Sequence, residues 1–596
     1  MSKPSNRRRQ PSGQTTETMT LFAITGGFAG IAVLVLIAVR IGYRLAGLPP
    51  AGGDPWTILF GVLGGDLPWP GQSTVILTGS IAVSAGSVLL TRRLFAGSDR
   101  TRADAAARYL GSRADVAPVS KARAAKKAER MGVEADVPGV PIGVTVATKE
   151  PLYGSWEDCH IDIWGPRTGK TTSRAIPAIL TAPGSVVVTS NKRDVVDATR
   201  DIRAKTGEVW VFDPQRLASE EPTWWWNPLG YVTDEVRAAR LAEHFASGSR
   251  DTNARTDAFF DNSGRDLLAG LLLAAALDNR PITDVYRWLT RPTDDTPMRI
   301  CQDHGIGLIA DQIAGVVFAP DKQRAGVYGT AQQMAACLTN RQIAAWITPQ
   351  GDDDQRPRLV PTDFVRQPGG TLYSLSKEGA STAGPLVTAL TAEIAEAAEE
   401  YASASSGGRL PTPLLAVLDE AANVCRWKEL PNLYSHYGSR GIVLMTILQS
   451  WSQGADVWGE SGMKKLWSAA NIAVYGGGVK EREFLDMLST LLGDYDKRTR
   501  SISTGKNSRS ITHQLTRERI MDASDLASMP PGRAIAFAAG ARPTLIATQP
   551  WMTGPHADAV RASIANHDPG GTHQWSNKPV KPPKDPLPNQ PPTSKT

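Results

Sequence analysis

Lys170 and Thr171 close the stretch Ile161-Asp162-Ile163-Trp164-Gly165-Pro166-Arg167-Thr168-Gly169-Lys170-Thr171-Thr172. An alternating apolar run enters a Gly/Pro turn there and leaves it in a helix-like continuation. Such a turn offers successive backbone N–H groups to phosphate oxygens. Its lysine reaches the β/γ-phosphates, and the first threonine hydroxyl holds Mg²⁺. Gly165, Pro166, Arg167, Thr168, Gly169, Lys170, Thr171 and Thr172 are therefore the expected nucleotide-binding residues, with ATP and Mg²⁺ as ligands. The usual pattern is G-x-x-x-x-G-K-[ST]. Here Trp164 stands at its first glycine position, and Gly165 comes one residue late. The competing reading is an ordinary Gly-Pro turn with an exposed lysine.

A second motif decides between them. Pro413-Leu414-Leu415-Ala416-Val417-Leu418-Asp419-Glu420-Ala421 is a buried-strand run ending in two adjacent carboxylates. Asp419 at the end of a parallel strand can hold the Mg²⁺ shell, and Glu420 is placed to polarise an attacking water.

These residues need strands to carry them. Short apolar runs recur at 185–190, 208–214, 370–375, 441–450 and 471–476, with helical patterns between them. Strands alternating with helices predict an α/β fold with a mostly parallel sheet covered on both faces. Ligands then sit at the carboxyl ends of the strands, where these motifs fall. Residues 261–346 are helical in pattern and read as an all-α domain inserted into a nucleotide-binding domain formed by 137–260 and 347–553. Gly351 to Gln355 reads as an acidic exposed loop.

The chain has 596 residues, a net charge of +6 and four widely spaced cysteines, Cys159, Cys301, Cys337 and Cys425. Length and composition describe a multidomain globular protein, and the charge is a mild pointer to a polyanionic partner. The cysteine spacing excludes a disulfide framework and points to a reduced compartment.

The amino-terminal region differs. Thr20 to Val39 and Gln72 to Thr91 are uncharged apolar runs of bilayer-spanning length. Residues 20–91 are expected to form two transmembrane helices joined by a short external loop that carries Trp56 and Trp69. Residues 1–19 form a basic cytoplasmic end. Arg7-Arg8-Arg9 and Arg92-Arg93 place both termini in the cytoplasm of a cytoplasmic-membrane protein. Residues 92–136, rich in Ala, Arg and Lys, read as a charged linker helix. Residues 554–596, rich in Pro and Lys, read as a disordered tail.

Taken together, the chain resembles a type IV coupling protein of the TraG/TraD group. The resemblance rests on local stretches in combination. Ser190-Asn191-Lys192-Arg193, Phe212-Asp213-Pro214, Trp226-Asn227-Pro228-Leu229 and Phe260-Asp261-Asn262-Ser263-Gly264-Arg265 are among them, as are Asp419-Glu420-Ala421-Ala422-Asn423 and Arg440-Gly441-Ile442 leading to Leu448-Gln449-Ser450. It spans about Val137 to Trp551. Trp164 and Asn191, the latter where an acidic residue is expected, depart from the family pattern.

The resemblance implies RecA-like cores in a homo-hexameric, membrane-anchored ATPase. Such a protein recruits DNA, single-stranded by preference, or a relaxase–DNA complex to a type IV secretion channel. It further implies that Gln449 senses the γ-phosphate and that Arg440 stabilises charge in a neighbouring subunit. An FtsK-like double-stranded-DNA translocase and a non-catalytic ATP-binding scaffold are the alternatives.

Overall fold

The computed structural model describes residues 32–50, 52, 54–95, 101–134, 136–249, 257–379, 382–504 and 509–569. It divides into two units, 1–100 and 101–596.

In the first unit, a helix over 32–45 is followed by helices Pro55–Gly64 and Gly71–Phe95. Asp54 caps the middle helix by accepting from the Trp56 and Thr57 N–H groups, with Pro55 in its first turn. That helix lies in the segment expected to be a plain connecting loop. Gly71–Phe95 covers the second apolar run. Most of the first run lies outside the described residues, as does the basic end. Among the described residues, no helix is long and apolar enough to cross a membrane.

The second unit is built on one eleven-stranded sheet. Its strands in chain order are β1 (Val140–Thr145), β2 (Pro151–Gly154), β3 (His160–Ile163), β4 (Val186–Ser190), β5 (Val209–Phe212), β6 (Thr371–Leu375), β7 (Leu414–Leu418), β8 (Ile442–Leu448) and β9 (Ile472–Tyr475). After them come β10 (Asp494–Thr504), β11 (Arg509–Arg519), β12 (Arg533–Ala538) and β13 (Thr544–Ala547). The order across the sheet is β2-β1-β13-β12-β9-β3-β8-β7-β4-β6-β5. From β9 to β5 every pairing is parallel. From β9 to β2 every pairing is antiparallel. The parallel part is apolar on both faces, as helix-covered strands must be. Along β7, Leu414, Ala416 and Leu418 join one core, and Leu415 and Val417 join the other.

The expected strands are all present. The helices between β5 and β6, including Ala258–Leu277, Gly307–Val317 and Asp321–Met334, share one apolar core with a face of the sheet.

Two expectations are corrected. The linker is not one helix. It breaks into Arg102–Ala106, two 3-10 turns and Lys121–Arg130. Gly111 and Pro118 interrupt the pattern, and side-chain contacts tie the pieces to the body: Arg533 Nε donates to Asp104 at 2.6 Å. The tail reading began too early. Ala557–His567 is a helix packed on Asp194–Arg203, with Ser563 Oγ donating to the Asp197 carbonyl at 2.6 Å and Val560 buried. Residues 570–596 lie outside the described residues. Asp494–Thr504 and Arg509–Arg519 pair as two long antiparallel strands outside the main sheet.

Candidate nucleotide site

The phosphate loop leaves β3 and is braced from behind. Trp164 N–H donates to the Leu448 carbonyl at 3.0 Å, and Gly165 N–H donates to Gly477 at 2.9 Å. A Cβ at Gly165 would stand 2.4 Å from the Gly478 carbonyl oxygen, so this position requires glycine. Gly169 follows at φ +92°. The Trp164 ring turns away from the ligand side and is fully buried. It packs where Gly476 offers no side chain, since a Cβ there would lie 2.0 Å from the ring. Its Nε1 donates to Asp162 Oδ1 at 3.2 Å. The tryptophan therefore fills the space that Gly476 leaves open, and the anion-facing side of the loop is left to Gly165–Lys170.

Behind the loop, Arg174 donates to both oxygens of Asp162, at 2.8 and 3.1 Å, and to the Pro141 carbonyl. Both side chains are fully buried. Burial and the neighbouring guanidinium hold His160 well below its usual range. Its Nδ1 is then free to accept from Arg174 at 3.2 Å. The helix begins with a π turn at Thr171–Ala175, in which Ile176 N–H reaches the Thr171 carbonyl five residues back. Pro177 has no N–H for Ser173, so an ordinary α turn cannot close there.

Lys170, Thr171, Asp419, Glu420 and Gln449 converge at the carboxyl ends of β3, β7 and β8. Lys170 Nζ bonds Glu420 Oε1 and lies 3.6 Å from Asp419 Oδ1. Thr171 Oγ1 is 3.3 Å from Asp419 Oδ2. Gln449 Nε2 reaches the two Glu420 oxygens at 2.8 and 2.7 Å. Strand β8 lies between β3 and β7, which is why its end delivers Gln449 to the middle of the site. Glu420 is turned back into the cluster by a left-handed backbone, φ +56° and ψ +40°, unusual for a side chain of its size.

The donor set fits a hard divalent cation beside phosphates. Asp419 Oδ1 is buried without a hydrogen-bond partner among the described residues. Burial pushes the Asp419 carboxyl up to about 6, against the pull of Lys170. Asp419 and the Thr171 hydroxyl are the residues that would hold Mg²⁺. The metal would supply charge neutralisation for the phosphate oxygens.

Arg167, at φ +61°, is exposed on the loop and has no polar partner among the described residues. Thr168 and Thr172 hydroxyls are spent on the Gly165 and Gly169 carbonyls, at 2.6 and 3.1 Å, and so shape the loop.

Arg440 is not brought to the site. It precedes β8, whereas Gln449 follows it, so the strand's length of roughly 20 Å separates them. Its guanidinium is engaged by Ser403 and by Glu399 at 3.4 Å. The sequence reading gave no role in the site to three side chains at the rim. Asn191 beyond β4, Glu378 beyond β6 and Asn423 beyond β7 are joined by hydrogen bonds. Their one available signal was polarity just past the carboxyl end of a buried strand. The four cysteines are free and buried. Among the described residues there is no group of three or more His, Cys, Asp and Glu that could hold a metal ion, and Cys159 and His160 are fully buried.

With this geometry, comparisons with known proteins become informative. Residues 413–531, from the start of β7 through β11, match the family described as the TraM recognition site of TraD and TraG. A probable conjugal transfer protein TraG of Sinorhizobium fredii is 22% identical over 428 residues, 68% of this chain and 64% of that protein. The chain is related to the type IV coupling proteins. A second relative, the type IV secretion system-coupling protein VirD4 of Bartonella quintana, is 22% identical over 381 residues, 58% of this chain and 55% of that protein. The match spans less than two thirds of the length of either relative. The fold agrees with the bacterial conjugative coupling protein TrwBdeltaN70 in its unbound form, at TM-score 0.50 and 18% identity, over 68% of this chain and 88% of that one.

Proposed function

We propose that the chain is an ATPase of the coupling-protein kind. It would use ATP and Mg²⁺ to deliver DNA, or a protein–DNA complex of the relaxosome, to a type IV secretion channel. The observation that carries this reading is the convergence of Lys170, Thr171, Asp419, Glu420 and Gln449 at adjacent strand ends.

The chemistry follows from those residues. The loop N–H groups and Lys170 bind the phosphates, and Glu420 accepts a proton from the attacking water. Gln449 orients Glu420 and reads the terminal phosphate. Lys170 is bonded to Glu420, so nucleotide must draw the lysine away before Glu420 is free to act. Arg167 is the arginine of the same chain placed to touch phosphate, and Arg440 would act on a neighbouring subunit.

The apolar runs of the first 95 residues support anchoring in the cytoplasmic membrane with both termini inside. A homo-hexamer enclosing single-stranded DNA accords with the relationship to coupling proteins. Contacts to DNA would be to phosphates and salt-sensitive.

The test is DNA-stimulated ATPase of the full chain, compared with Lys170→Ala. Stimulation by single-stranded DNA, with activity falling about 100-fold or more in the variant, supports the reading. Absence of ATPase, or indifference to the substitution, overturns it.

A further inference from the structure

We propose that Glu378 is a positioning residue for this site, acting through Asn423 on Glu420; the inference rests on the ATPase reading above. Glu378 lies just past the carboxyl end of β6, ahead of Gly379 at φ +108°. Its Oε1 accepts from two amides, Asn191 Nδ2 at the end of β4 and Asn423 Nδ2 at 2.9 Å. The same Asn423 nitrogen is 3.3 Å from Glu420 Oε2. One amide thus spans two carboxylates, and its two N–H bonds account for both contacts.

The consequence follows from counting donors on Glu420. Oε1 accepts from Lys170 and Gln449, and Oε2 accepts from Gln449 and Asn423. When Lys170 turns to phosphate, Oε1 gains a free lone pair facing the ligand. Oε2 must then be held, or the carboxylate rotates and the free lone pair no longer points at the water. Gln449 alone touches both oxygens and leaves that rotation soft. Asn423 is the second restraint, and Glu378 fixes Asn423. The contact draws the ends of β4, β6 and β7 together beside the phosphate loop. Glu378 is exposed and touches neither Lys170 nor Asp419, so its role is orientation of the base and not nucleotide binding.

Steady-state MgATP hydrolysis by the full chain tests this, with thermal unfolding measured in parallel. Glu378→Ala is expected to lower kcat about tenfold, with KM within about twofold and unfolding temperature unchanged. Glu378→Gln keeps a carbonyl acceptor and should return kcat to within about twofold of the parent. Asn423→Ala should match Glu378→Ala, and the double variant should be no slower than either, because both remove one restraint.

Unchanged kcat in Glu378→Ala overturns the inference. So do equal losses in the Gln and Ala variants, additive losses in the double variant, or KM rising in step with the fall in kcat. In each of those cases a parent that depends on Lys170 leaves the ATPase reading standing. A parent without Lys170-dependent hydrolysis removes that reading and this inference with it.

Discussion

Two buried ion clusters stand four residues apart on the same turn of chain and are built to opposite ends. Around Arg174, the ion pair itself is saturated, and only His160 Nε2 at its edge is buried without a hydrogen-bond partner among the described residues. Asp162 accepts two guanidinium bonds and the Trp164 indole, and the spare Arg174 donors go to Pro141 and His160. Around Lys170, the charges are unevenly matched. One ammonium faces two carboxylates, one carboxylate oxygen has no hydrogen-bond partner among the described residues, and Glu420 sits in a left-handed backbone. The residue types fit the difference: a planar fork locks a geometry, whereas a flexible ammonium can be redirected. The saturated cluster holds the loop in place. The unsaturated one awaits a polyanion and a cation that complete it.

The largest expected effect lies on the saturated side. Asp162→Ala strands a fully buried guanidinium and should cost about 3–5 kcal/mol of stability, read by chemical denaturation. Near-parental stability would remove the contrast. Gly476→Ala should come next. Its Cβ meets the Trp164 ring, so about 1–3 kcal/mol of overpacking is expected, with KM for ATP rising as the loop shifts.

The pH dependence probes the other side. Asp419 titrates at about 6 in the folded chain against an ordinary 3.8, so the folded state binds its proton more tightly than the unfolded state does. Ligand-free stability from this group therefore falls as pH rises from about 4 to about 6 and stays lower above that. Mg²⁺-nucleotide needs the carboxylate, so its stabilising shift in unfolding temperature should grow from pH 5 to pH 7. A shift independent of pH would contradict the assignment. Arg440→Ala is expected to do least, changing MgATP affinity by less than about twofold, since its partners within its own chain are Ser403 and Glu399.

Much of this was legible in the residues. The parallel strands announced themselves as continuous apolar runs, because burial on both faces leaves nothing to alternate. Lys170, Asp419 and Glu420 were legible because the chemistry demands those types at strand ends, and Gln449 was implied by the resemblance. What escaped depends on contacts between distant segments. The substitution at Trp164 became intelligible only beside Gly476-Gly477-Gly478, over 300 residues away. Arg440, implied by the resemblance to act on a neighbouring subunit, lies at the amino end of a strand whose other end carries its own chain's site. Glu378 has no local signature, and its hydrogen bonds go to two asparagines just past other strands. The Ala557–His567 helix was lost in a Pro/Lys-rich tail because its apolar face is one narrow stripe.

The most direct test of the unsaturated cluster is Glu420→Gln, measured for MgATP affinity and for hydrolysis in the same preparation. Affinity within about threefold of the parent, with hydrolysis reduced about 100-fold or more, is the predicted result. Hydrolysis at the parental rate would contradict the account.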